Sequence, residues 1–111
     1  MVKAKTDVAN IIKKYAKALS LDIDVNKVVL VGPYAAGDVD EWSDIQFVVI
    51  SKDFASMSHI KRLDILADKT LGIDTFLVPF GGYTPDEYEH PEKTLHMRWI
   101  KSAGKIVYEG K

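Results

Sequence analysis

The stretch from Leu30 to Ile50, LVGPYAAGDVDEWSDIQFVVI, gathers most of the groups in this chain whose types and spacing could do chemistry. An apolar run ends at Gly32-Pro33, an acid-rich segment follows, and a second apolar run opens with Asp44-Ile45-Gln46. In an extended strand, side chains two apart point to one face with their Cα atoms about 7 Å apart. Asp44 and Gln46 therefore share a face with Val48 and Ile50, while Ile45, Phe47 and Val49 take the other. A carboxylate and an amide oxygen on one face can both ligate a hard cation, but only the carboxylate brings charge. The acids Asp38, Asp40, Glu41 and Asp44 do not form an EF-hand calcium loop. The glycine at its sixth position is missing, and Val49 stands where the bidentate glutamate belongs. A solvated turn is the simpler reading of that run.

The elements that must position these groups can be read from hydrophobic periodicity. Val8, Ile11, Ile12, Tyr15 and Leu19 fall on one helical face, opposite Lys13, Lys14 and Lys17, and Thr6 or Asp7 can cap that helix. Val28–Val31 is a short β-branched run and reads as a buried strand, followed by a second strand over Asp44–Ile50. Ser56 or Ser58 opens a helix with an apolar stripe of Ile60, Leu63, Leu66 and Ala67, closed by Gly72. A third strand is expected over Ile73–Phe80, then a turn at Gly81-Gly82. Thr84, Pro85 and Glu87 form a capping box with proline at the first helical position. A further helix is expected over Lys93–Ala103, stopped by Gly104 before a last strand at Ile106–Tyr108. Strands separated by helices imply an α/β (α+β) domain with helices packed on one small sheet. The link between the first two strands is too short for a crossover helix, so the sheet should be mixed.

With its spacing in view, the stretch resembles the signature of the minimal nucleotidyltransferases, small relatives of the DNA polymerase beta palm. Their pattern is Gly-Ser, ten residues, then Asp-x-Asp. Here Gly32-Pro33 is followed by ten residues, Tyr34–Ser43, and then by Asp44-Ile45-Gln46. Tyr34, Ala35, Gly37, Ser43, Asp44 and Ile45 match common family letters. GIDTFLV, at Gly72–Val78, resembles the later strand that supplies the family's third carboxylate, which would be Asp74. TPDEYE and KSAGKIVYE resemble its terminal helices and final strand, so the likeness covers nearly all of residues 1–111 as a single domain. The resemblance implies a catalytic trio at Asp44, Gln46 and Asp74 and a nucleotide-binding turn at Gly32, Pro33 and Tyr34. Any metal, Mg2+ by family, would fall to Asp44 and Asp74.

The parent chemistry is two-metal nucleotidyl transfer, in which three carboxylates hold two ions about 4 Å apart across the reacting phosphate. Two of its parts are changed here. Pro33 replaces the serine, removing a hydroxyl and a backbone N–H together, although proline suits the first position of a helical turn. Gln46 replaces the second aspartate, so the site drops from three carboxylates to two where dications must sit. The resemblance, with these losses, implies a catalytically degenerate member that acts by binding. Small members of the family pair with an all-helical HEPN protein in a toxin–antitoxin-like arrangement, and that is the partner implied. The alternative is an active Mg-dependent enzyme transferring a nucleoside monophosphate from an NTP to a protein or small-molecule hydroxyl. A homo-oligomer is a further open arrangement.

Composition narrows the remaining classes. The chain has 111 residues and no cysteine, which excludes disulfides, thiolate nucleophiles and cysteine-held zinc. Its net charge of −1 provides no global field for nucleic acid or an anionic membrane, so neither is an expected partner. No apolar run approaches the roughly 20 residues of a membrane span, and a cytoplasmic protein is expected. His59, His90 and His96 lack helical metal-ligand spacing and are read as surface or packing residues. Trp42 beside the motif could stack a base, with partial packing as the plainer role. Tyr83, Tyr88 and Trp99 are expected in the core or at an interface.

Overall fold

The computed structural model describes residues 5–40 and 42–110. In chain order they form α1 (Lys5–Leu19), β1 (Lys27–Val31), α2 (Gly32–Ala36), β2 (Ile45–Ile50), α3 (His59–Thr70), β3 (Leu77–Tyr83), α4 (Pro85–Glu89), α5 (Leu95–Ala103) and β4 (Lys105–Glu109). Short 3-10 turns at Lys52–Ser56 and Pro91–Lys93 link β2 to α3 and α4 to α5. The sheet runs in the order β3-β2-β1-β4. β1 is antiparallel to both β2 and β4, whereas β2 and β3 are parallel, so the sheet is mixed as its connections required. None of the helices in the described residues is long and apolar enough to cross a membrane.

Both sheet faces are covered, which is why β1 and β2 read as almost continuous apolar runs. Val28, Leu30, Ile45, Phe47 and Val49 pack with Ile12, Tyr15 and Leu19 of α1 and Leu66 of α3. Val29, Val31, Val48 and Ile50 meet Tyr88 of α4 and Met97 and Ile100 of α5 on the opposite face. The period-2 division of β2 expected from its sequence is thus the division between two cores. Tyr15 sits edge-on to Phe47, ring centroids 4.9 Å apart, and its hydroxyl donates to the Leu66 carbonyl at 2.7 Å. Burial pushes that phenol well above its ordinary pKa.

Several boundaries differ from the sequence reading, each for a packing reason. α1 already includes Asp7 in its first turn, where the carboxylate faces the helix's positive end instead of capping it. α3 is capped by Ser58, whose hydroxyl accepts from the Lys61 N–H. Its inward face is Arg62 and Leu66, with Ile65 packed beside them, and not the stripe Ile60, Leu63, Leu66, Ala67. Ile60 is 77 % exposed and Leu63 and Ala67 also face solvent. β3 begins at Leu77, because residues 71–76 are spent on turns that bring the chain alongside β2. Gly81 and Gly82 lie inside this strand rather than in a turn. At Gly82 a Cβ would stand 2.5 Å from Cε2 of Phe54, so the bare backbone lets that ring pack. α5 starts at Leu95 behind a Thr94 cap, with Lys93 left in the preceding 3-10 turn.

Arg62 explains the rotation of α3. It is only 5 % exposed, and its guanidinium donates to the carbonyls of Met57 and Gly82 at 3.1 Å and to Glu87 Oε1 at 2.8 Å. Glu87 closes the expected capping box of α4, its Oε1 accepting the Thr84 N–H at 2.7 Å. One carboxylate oxygen therefore ties α3 to the cap of α4, and the Arg62 guanidinium adds β3 through Gly82. Partial burial opposes ionisation of Glu87, but the Thr84 and Arg62 hydrogen bonds and the Arg62 charge outweigh it and lower its pKa below the ordinary 4.5. A depressed carboxylate stabilises the fold above its unfolded pKa, and that contribution disappears as pH falls through the folded value. Chemical denaturation across pH 2 to 7 should show stability declining as pH drops below about 4.5, with a shallower decline in Glu87→Gln. Identical acid limbs in the two proteins would show that this junction does not govern acid stability.

Candidate functional site

The β1–β2 register brings the two ends of the motif together. Val31 pairs with Gln46, so Gly32 leaves β1 directly beside the Gln46 side chain. Gly32 has φ +67°, a left-handed conformation open to glycine. A Cβ at Gly32 would collide with Oε1 and Cδ of Gln46, so the carboxamide rests on the glycine Cα. Gln46, which departs from the family letters, therefore lies against the glycine that precedes Pro33, the other departure.

The turn itself is a five-residue helix, Gly32–Ala36, with Pro33 in its first turn. Gly37 closes it at φ +79°, and the N–H groups of Gly37 and Asp38 both donate to the Pro33 carbonyl. Ala35 is buried and Tyr34 is packed partly against the core shared by α1 and α3, which pins the turn to the sheet. Tyr34 also lines a small apolar hollow with Val8, Leu30 and Val107.

The acid-rich segment satisfies itself. The Asp40 carboxylate accepts the Trp42 N–H at 2.8 Å, and the Ser43 hydroxyl accepts the Asp40 N–H at 2.9 Å. These are local turn bonds of the kind short polar side chains make with nearby backbone. Trp42 is 76 % exposed, so it does not take even the partial packing role expected for it. Glu41 lies outside the described residues.

Asp44 is exposed immediately before β2, and Gln46 is half-buried one pleat further on. Asp74 stands before β3, not within it. Its Oδ1 accepts the Phe76 N–H at 2.8 Å, while the Phe76 carbonyl accepts the Ile45 N–H at 2.7 Å. Asp74 thus shapes the turn that docks on the start of β2. The β3 residue in register with Gln46 is Val78, an apolar side chain. Asp74 lines a shallow cleft with Thr70, Gly72, Ile73 and Thr75 that does not include Asp44. Among the described residues no group of three His, Asp or Glu side chains could hold a metal ion.

A second grouping was not visible in the sequence. Along the outer edge of β3, His59, Tyr83, His96, Trp99 and Phe80 form a continuous chain of ring contacts, with centroids 5.6, 5.7, 5.7 and 6.4 Å apart in turn. Of the aromatics expected in the core or at an interface, Tyr88 is buried in the core and Trp99 is exposed at this edge. The one local signal near the grouping is Gly81, where a Cβ would stand 3.2 Å from the Tyr83 ring.

Comparison with known proteins bears on the same residues. The family model described as "Nucleotidyltransferase domain" matches residues 10–98. A Methanocaldococcus jannaschii protein named "Putative protein adenylyltransferase MJ0141" is 29 % identical over 76 residues, which is 66 % of this chain and 77 % of the relative. A Sulfolobus solfataricus structure described as a "putative nucleotidyltransferase" superposes with a TM-score of 0.70 at 16 % identity, covering 98 % of this chain and 92 % of that one. A structure described as a toxin-antitoxin with AMP-PNP gives a TM-score of 0.57 at 18 % identity, covering 93 % and 74 %.

The Gly32–Gln46 contact has a measurable consequence. Gly32→Ala should lose about 2 kcal/mol or more, from the left-handed φ and from overpacking against the carboxamide. Adding Gln46→Ala should recover the packing part but leave the backbone part. A double-mutant cycle by urea denaturation reads the coupling, and strict additivity would show that the two residues do not press on each other.

Proposed function

The chain belongs to the nucleotidyltransferase-domain family, and from that premise we propose that it is a catalytically degenerate member that works by binding a helical HEPN-type protein in a toxin–antitoxin-like pair. The observation that carries this reading is the contact of the Gln46 carboxamide with Gly32, the residue that leads into Pro33. Proline removes a hydroxyl and an N–H from the side of the turn that would face phosphate. Glutamine removes charge from the strand position that would face metal, and its carboxamide lies on the turn. The toxin-antitoxin neighbour supports a partner protein as the setting in which such a domain is used.

The residues present do not fit a two-magnesium centre. Asp44 is solvent-exposed, one oxygen of Asp74 is engaged by backbone, and the strand position beside Gln46 is Val78. A hard dication that wants near-octahedral oxygen coordination gains little from two such carboxylates and a neutral amide. Nucleotide affinity should be correspondingly low. Calorimetric titration of MgATP should give little or no heat with the wild type and at least about tenfold tighter binding in a Pro33→Ser/Gln46→Asp double variant. The shorter aspartate also withdraws from Gly32. Tight binding by the wild type would overturn the degenerate-site reading.

A second reading is favoured by the relative named as a protein adenylyltransferase. In it the chain transfers a nucleoside monophosphate from an NTP to a protein or small-molecule hydroxyl, with Asp44 and Asp74 holding what Mg2+ there is. Incubation of the chain and its helical partner with α-labelled ATP and Mg2+ separates the two. The degenerate reading expects no label on the partner, and label above a heat-killed control establishes the enzyme.

A further inference from the structure

We infer that the turn at Gly32 is closed by the chain itself. The Gln46 side chain covers the glycine face that a nucleotide phosphate would approach, and shortening that one side chain opens the turn. The inference rests on the degenerate-site reading above and deepens it, since it adds an occupant to a site described so far only by lost groups. Among the described residues, Gly32, Gly37 and Gly72 have positive φ. Where a Cβ would project, Gly37 and Gly72 meet nothing within 4 Å. At Gly32 the three nearest heavy atoms all belong to Gln46: Oε1, then Cδ at 2.8 Å and Cβ at 3.3 Å. A glycine at such a position often marks a place where something comes close to bare backbone. Here what comes close is a side chain from the neighbouring strand.

The sheet dictates where that side chain goes. Gln46 lies between Val31 of β1 and Val78 of β3 in the register, and residues paired across strands project to one face. Val48, two residues along β2, shares that face and is buried with Val31 in the core under α4 and α5. β-Branched side chains are stiff at χ1 and yield little room. With valines on those three sides, the carboxamide extends toward the start of β2, past the end of β1, and lies on Gly32. A ligand atom seated against the Gly32 Cα on that side would overlap it.

Closure and loss of groups make opposite demands on position 46. Pro33 removes a hydroxyl and an N–H from the turn, and Gln46 brings no charge. Gln46→Ala restores none of these; it only takes away the cover. Gln46→Glu does the reverse, adding the charge while keeping the length that reaches Gly32. If lost groups alone weaken the site, glutamate should help and alanine should not. If the side chain closes the turn, alanine should help and glutamate should not.

Calorimetric titration of MgATP into the full chain carrying each substitution reads this difference. Gln46→Ala should bind at least about tenfold tighter than the wild type, the size of effect that relief of one overpacked contact gives, and Gln46→Glu should bind no tighter. Circular dichroism confirms that each variant is folded. A measurement on the wild type needs no variant: nuclear Overhauser effects should join the Gln46 side-chain protons to the Gly32 α protons, and their absence overturns the closure. Gln46→Ala binding no tighter than a weak wild type also overturns it, and leaves the degenerate-site reading standing on the lost groups. A gain in Gln46→Glu alone assigns the weakness to charge and likewise overturns it. Tight binding by the wild type overturns both the closure and the degenerate-site reading.

Discussion

The antiparallel register between β1 and β2 is the constraint on which the rest of this molecule depends. It runs from Lys27 opposite Ile50 to Val31 opposite Gln46. Because side chains alternate along a strand, a slip of one residue would exchange the two apolar faces that separately receive α1 with α3 and α4 with α5. The same register brings Gly32 to Gln46, so the site's geometry is a by-product of correct core packing. The short connection between these strands can then vary its chemistry, as Pro33 does, without disturbing the sheet. The turn keeps its bend through two left-handed glycines and the buried Ala35.

Much of the architecture was legible because its causes are local. β1 and β2 declare themselves by β-branched residues and period-2 alternation, and the α4 cap by the Thr84–Glu87 spacing. The mixed sheet followed from connection lengths alone. α3 was misread in rotation because a hydrophobicity pattern counts Ile60 and Leu63 as inward and Arg62 as outward. The guanidinium wins the interior through carbonyls of Met57 and Gly82 and the Glu87 carboxylate, all partners remote in sequence or outside the helix. β3 was misplaced for a related reason. Gly81-Gly82 carries the local signature of a turn, but the ring of Phe54 needs a strand without a side chain there.

The candidate site shows the same boundary between local and non-local information. Spacing placed Asp44 and Gln46 on one strand face and Gly32 at a bend, since these depend only on residue order. The position of Asp74 depends on how far the chain travels before β3 engages β2, and turns consume that distance. Its carboxylate organises backbone ahead of the strand, leaving Val78 in register with Gln46. The histidine and aromatic chain at the β3 edge joins residues from α3, β3 and α5, and no spacing rule connects them.

The neutral residue at position 46 is also consistent with the contact it makes. Two carboxylates at strand positions i and i+2 lie about 7 Å apart and repel by roughly 0.6 kcal/mol in water, or about 2 kcal/mol at the effective dielectric of a protein surface. Bound dications cancel that cost when they are present. Without a dication to compensate, a carboxylate beside Asp44 would only weaken the fold. Glutamine keeps the polarity of the position, removes the repulsion, and has the length to lie on Gly32. Proline at position 33 acts in the same direction, pre-setting the backbone of a helical turn at the loss of one N–H. Both substitutions lower the free energy of the turn when no ligand occupies it.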